Sequence, residues 1–140
     1  MLLPRIARQF ALALVAFGAY AARAEEQGPS VQVLEAYTAP AKLKQKSAEV
    51  YARFVNVETT DRLVGADSPA CQRVELVAGD GTPRPYQDFQ FHEDVEIGFR
   101  EGAPHLRLVG LKRPLVRGES FLVTLRFAET GSLAINVKVQ

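Results

Sequence analysis

Ser120-Phe121-Leu122-Val123-Thr124-Leu125-Arg126-Phe127 is the stretch that decides the fold. Phe121, Val123, Leu125 and Phe127 point one way, and Leu122, Thr124 and Arg126 point the other. This is the period of two that a strand with one buried face imposes. Leu133, Ile135, Val137 and Val139 repeat the pattern against Ala134, Asn136 and Lys138, and Ala128-Glu129-Thr130-Gly131 between them reads as a hairpin loop. Upstream, short apolar-alternating runs recur at residues 31–37, 49–57, 61–65, 73–77, 86–91, 95–99 and 105–111. Turn signals separate them, the clearest being Gly79-Asp80-Gly81-Thr82-Pro83. Residues 40–48 carry Leu43 as their one large apolar side chain and so read as a solvated loop, without the apolar stripe of a helix. The spacing predicts an all-β domain, a two-sheet antiparallel sandwich or barrel.

The first 24 residues have a different character. Arg5 and Arg8 precede an apolar run over residues 10–22, which closes on Ala22-Arg23-Ala24. That layout is a secretory signal peptide, residues 1–24, with the cut expected after Ala24 and one domain over residues 25–140. The run is shorter than the roughly 20 residues that cross a bilayer, so no stable membrane anchor is expected after cleavage. The whole chain holds 17 basic and 16 acidic residues; without Arg5, Arg8 and Arg23 the basic count falls to 14 and the net charge to −2. That balance gives no reason to expect nucleic acid or an anionic membrane as partner. Cys71 is the one cysteine, so no internal disulfide forms and no lipid-acceptor cysteine follows the cut. Its thiol is either buried, as a small hydrophobe, or reactive or metal-binding.

Sequence signatures of enzymes are absent. There is no GxSxG, P-loop or CxxC, and His92-Glu93 is followed by Asp94-Val95-Glu96 rather than by the second histidine of HExxH. With His92 and His105 the two histidines of the chain, a three-histidine zinc site cannot be built. An enzyme is not expected.

Three stretches resemble one family. Residues 60–70, Thr-Asp-Arg-Leu-Val-Gly-Ala-Asp-Ser-Pro-Ala, run on to Arg73-Val74-Glu75-Leu76 and look like the first half of the periplasmic copper chaperones known as PCuAC. Residues 105–115, His-Leu-Arg-Leu-Val-Gly-Leu-Lys-Arg-Pro-Leu, are similar to that family's HLMLxGLKxPL stretch. Gly118-Glu119-Ser120 with residues 122–127 resembles its final hairpin. The resemblance implies a cupredoxin-like β-sandwich, a periplasmic location and a role in delivering copper for cytochrome oxidase assembly. A cytochrome oxidase subunit or another copper-handling protein is then the expected partner.

The family's site is written H…M-x21-H-x-M, two imidazoles and two thioethers, soft ligands that select Cu(I). Carried onto this chain, the late histidine is His105, and its paired methionine falls on Arg107. The 21-residue spacing places the middle methionine at Pro83, and the early histidine falls on Val77. His105 alone is retained. The one methionine is Met1, inside the expected signal peptide, so no thioether remains in residues 25–140. Arg107, two residues on along a strand, shares a face with His105, where a guanidinium opposes a bound cation. Copper is therefore expected to bind weakly or not at all. Two alternative donors stand in the sequence: His92, as a hard site with Glu93 and Asp94 or as a plain turn histidine, and Cys71 as one soft donor. Arg84, Arg100, Arg107, Arg113 and Arg117 form either a basic surface around the old site or scattered solubilising charge. The two functional readings that follow are a copper chaperone with a degenerate Cu(I) site and a metal-free binding module that kept the fold.

Overall fold

Alternation is realised as ten strands among the described residues. The computed structural model describes residues 31–56, 60–92 and 96–140; the expected signal peptide lies outside them. The strands are β1 (Val31–Thr38), β2 (Ser47–Asn56), β3 (Asp61–Asp67), β4 (Cys71–Val77), β5 (Pro83–Arg84), β6 (Gln90–Phe91), β7 (Glu96–Phe99), β8 (His105–Leu111), β9 (Ser120–Phe127) and β10 (Gly131–Val139). They form one continuous curled sheet in the order β5-β4-β8-β2-β1-β10-β9-β3-β6, with β7 also paired to β2. The sheet curls into a half-barrel, and pairing is antiparallel except at one junction. There β1 meets β10 in parallel over Tyr37↔Lys138 and Thr38↔Val139. One edge of β2 is shared, Ser47–Val50 pairing with β8 and Ala52–Val55 with β7.

In β9, Phe121, Val123, Leu125 and Phe127 are buried, and in β10 so are Ile135, Val137 and Val139. They meet Val50, Ala52 and Phe54 of β2 and Leu106 and Leu108 of β8 in one core. Phe54 stands edge-on to Phe91 at 5.2 Å and to Phe99 at 5.4 Å between ring centres. Truncating a ring so enclosed costs about 3–5 kcal/mol.

Two expected segments differ. Residues 86–91 are not one strand but a 3-10 turn, Tyr86–Asp88, followed by the two-residue β6. Pro85 caps the turn, the Tyr86 hydroxyl donates to the Val74 carbonyl, and Phe89, three residues on, reaches the aromatic core. A spacing of three suits a turn rather than a strand. Residues 40–48 are not a plain loop either. Ala41 is buried and bridges Leu115, Leu43–Gln45 form a 3-10 turn, and Ser47 and Ala48 already belong to β2.

One buried carboxylate ties the last hairpin to the sheet. Asp61, 3% exposed, accepts from the backbone N–H of Arg62, Glu129 and Thr130 and from the Thr130 hydroxyl at 2.6–3.0 Å. Burial raises its pKa, but these four donors outweigh burial and hold it below the ordinary carboxylate value.

Candidate functional site

Strand register brings the four family positions together. Pro83 of β5 pairs with Val77 of β4, and Val77 pairs with His105 of β8. Directly paired residues project to the same side of a sheet, here the side away from the core that Leu76 and Leu106 enter. Arg107 lies between Glu75 of β4 and Glu49 of β2. Proximity of the four thus follows from register alone.

That outer face is nevertheless covered. The turn after β4 closes through Ala78 N–H to the Thr82 carbonyl and Gly81 N–H to the Ala78 carbonyl, each 2.8 Å. It abuts the segment before β8 so closely that a Cβ on Gly79 would meet the Gly102 backbone. His105 is consequently 5% exposed, and Val77 is fully buried. His105 shares its face of β8 with Arg107, as the alternation requires, but its side chain is not exposed there.

The imidazole is fully occupied. Its Nδ1 lies 2.7 Å from the Ala103 carbonyl oxygen and its Nε2 2.7 Å from Oε2 of Glu49. The Ala103 carbonyl can only accept, so Nδ1 donates to it, and Nε2 faces the Glu49 carboxylate rather than an open coordination position. The other Glu49 oxygen accepts from Nε of Arg107 at 2.9 Å, and Nη1 of Arg107 donates to the Gly81 carbonyl at 3.0 Å. One carboxylate therefore bridges the Arg107 guanidinium and the His105 imidazole. Tyr51 stacks at 5.3 Å from the His105 ring, and Tyr37 follows at 5.6 Å from Tyr51. Burial and the nearby carboxylates of Glu101 and Glu49 push the Tyr51 phenol up.

The alternative donors do not join this cluster. Cys71 pairs with Leu111 at the far end of β8, six residues and about 20 Å from His105. It is 2% exposed, and burial, against weaker opposing hydrogen bonds, pushes its thiol up. His92 is exposed beside β6, while Glu93 and Asp94, its expected partners, lie outside the described residues. Among the described residues, no group of three or more His, Cys, Asp or Glu side chains is placed to hold a metal. The five arginines do not form one surface: Arg84 pairs with Asp88, Arg107 with Glu49, Arg100 is exposed in the turn before β8, and Arg113 and Arg117 lie beyond the other end of β8.

Glu49 is the residue that sequence reasoning missed. It lies 56 residues from His105, and only the β2–β8 register joins them. A signal was present: Val50, Ala52 and Phe54 alternate inward, which puts Glu49 on the outer face that His105 and Arg107 share.

A family model described as "LpqE-like: Putative lipoprotein LpqE-like" matches residues 31–139. "Putative lipoprotein Lxx21020" from Leifsonia xyli subsp. xyli is 30% identical over 125 positions, covering 81% of this chain and 72% of that protein. Among solved structures, the apo PCuAC domain from PmoF1 aligns with a TM-score of 0.70 at 19% identity, over 81% of this chain and 96% of that one. The solution structure of Cu(I)-DR1885 from Deinococcus radiodurans aligns at 0.67 and 24% identity, over 86% and 85%. The resemblance to PCuAC domains seen in the motifs is thus borne out as a shared fold. None of these relatives is described as an enzyme.

Proposed function

The chain belongs to the LpqE-like family, and from that footing we propose that it is an exported protein of copper handling, connected with cytochrome oxidase assembly, whose own Cu(I) site is degenerate. The relatives described as lipoproteins support an envelope location. The family's lipid-linked description does not carry over through Cys71, which is buried in β4. Export after cleavage at Ala24 would place the domain in the periplasm. The observation that carries the reading is the filling of the ligand positions: Val77, Pro83 and Arg107 supply no donor, and His105 is spent on Ala103 and Glu49. An ion-paired network stands where two imidazoles and two thioethers would hold a soft cation. Copper then passes through a partner, a cytochrome oxidase subunit or another copper-handling protein, or is bound weakly.

The test is copper-dependent oxidase activity in a deletion strain grown at limiting copper. The proposal expects activity to fall and to be restored equally by the wild-type gene and by His105→Ala. Unchanged oxidase activity would remove the copper role and leave the second reading, a metal-free binding module. That reading is favoured by the committed imidazole. Failure of a folded His105→Ala protein to restore activity would show that the site is not degenerate.

A further inference from the structure

Six of the nine cations that have no ion pair among the described residues collect at one pole; the other three, Arg62, Arg100 and Lys138, lie in β3, after β7 and in β10. Arg53, Arg73, Arg84, Arg107 and Arg126 each have a carboxylate partner. Lys42, Lys44, Lys46, Lys112, Arg113 and Arg117 are exposed and have none among the described residues. Two segments carry all six, residues 39–46 and 112–119, where Glu119 is the one acidic side chain. A two-way bridge joins the segments, Ala41 N–H to the Leu115 carbonyl at 3.0 Å and Leu115 N–H to the Ala41 carbonyl at 2.8 Å. The Lys46 carbonyl, on a residue held at φ 66°, accepts from both Gly110 and Leu111. This pole is the Leu111 end of β8, opposite the His105 end.

Two of the five large exposed hydrophobic residues also stand there: Leu43, 50% exposed between two lysines, and Val116, 51% exposed beside Arg117. Leu43 is held out by a built turn, with Lys42 N–H bonded to the Gln45 side chain at 2.7 Å. Nearly neutral totals of charge hide this asymmetry. We propose that this pole docks peripherally on an anionic phospholipid bilayer, the cations against phosphate headgroups and Leu43 and Val116 dipping into the acyl boundary. Aliphatic tips ringed by long cationic side chains suit a fluid surface. An acidic protein would want shape, and the nearest hollow, about 240 Å³ between Thr38 and Tyr51, is lined by none of the six. Docked this way, the His105 end faces away from the membrane.

The chain contains no tryptophan, so a single indole reports its own site. Leu43→Trp and, separately, Val116→Trp full-length proteins are titrated with phosphatidylglycerol and with phosphatidylcholine vesicles. The proposal expects a blue shift of emission with the anionic vesicles, little with the zwitterionic ones, and reversal at high salt. Adding Lys44→Gln and Arg117→Gln should weaken apparent binding about 25-fold, from roughly fivefold per cation, while residues 1–30 stay the same. Unshifted emission at both positions on anionic vesicles would overturn the proposal. So would equal shifts on both lipids, or a shift with soluble polyglutamate in place of vesicles, which would assign the pole to an acidic protein.

Discussion

Removing the Glu49 carboxylate should cost stability through His105 rather than through the surface. In Glu49→Ala the buried Nε2 of His105 loses its 2.7 Å partner, and Arg107 keeps the Gly81 carbonyl alone. A charge-assisted hydrogen bond to a buried group contributes about 1.5–3 kcal/mol. The Arg107 contact counts for less, about 1 kcal/mol at most, because its side chain is 27% exposed and that of Glu49 32%. The expected loss is about 2–3 kcal/mol, or about 8–12 °C in Tm for a domain of this size. Thermal melts of Glu49→Ala, His105→Ala and the double variant form a cycle whose coupling should be about 1–2 kcal/mol. Glu35→Ala, which breaks an exposed pair with Arg53, serves as the control and should leave Tm unchanged. Additivity within about 0.3 kcal/mol in the cycle would refute the reasoning, since independent sites add to that tolerance.

Other perturbations follow from the same structure. Asp61→Asn should destabilise by about 2–3 kcal/mol at neutral pH, because a carboxamide cannot accept all four donors. Because Asp61 has a lowered folded-state pKa, its contribution is complete above the unfolded carboxyl pKa and lost as pH falls through the folded one. Urea midpoints between pH 5 and pH 2 should show a drop in the wild type that is smaller in Asp61→Asn; parallel curves would contradict this. Cys71 should resist a water-soluble thiol reagent in the native state and react on unfolding, since it is buried and its thiol is held protonated. Stoichiometric labelling of the native protein within minutes would contradict its placement. Gly79→Ala should cost more than about 2 kcal/mol in chemical denaturation, because the methyl group meets the Gly102 backbone that carries Ala103 to His105.

What the sequence could reveal follows the range of the interactions. The bounds of β8 and β9 were legible to the residue, because alternation is local and each strand has one buried face. The Tyr86–Asp88 turn was misread, since the alternation of Phe89 and Phe91 mimics a half-buried strand, and the Tyr86 contact with Val74 that fixes the turn is not local. Parallel closure of β1 on β10 involves two residue pairs at the extremes of the domain, and no local pattern encodes it. At the site, the motifs located Val77, Pro83, His105 and Arg107 individually, and cross-strand register made them neighbours. Glu49 escaped because its role exists only in that register. Arg107 was legible as a residue hostile to copper; its neutralisation by Glu49 was not. The basic pole escaped for the same reason, its two halves being separated by 65 residues and more and joined by the Ala41–Leu115 bridge.

Direct Cu(I) titration under anaerobic conditions, against a chromogenic chelator at neutral pH, tests the central claim that the inherited site is filled from within the protein. Affinity no tighter than about micromolar, roughly −8 kcal/mol, is expected, with the same value for His105→Ala. Retention of copper at subnanomolar affinity, lost on His105→Ala, would contradict it.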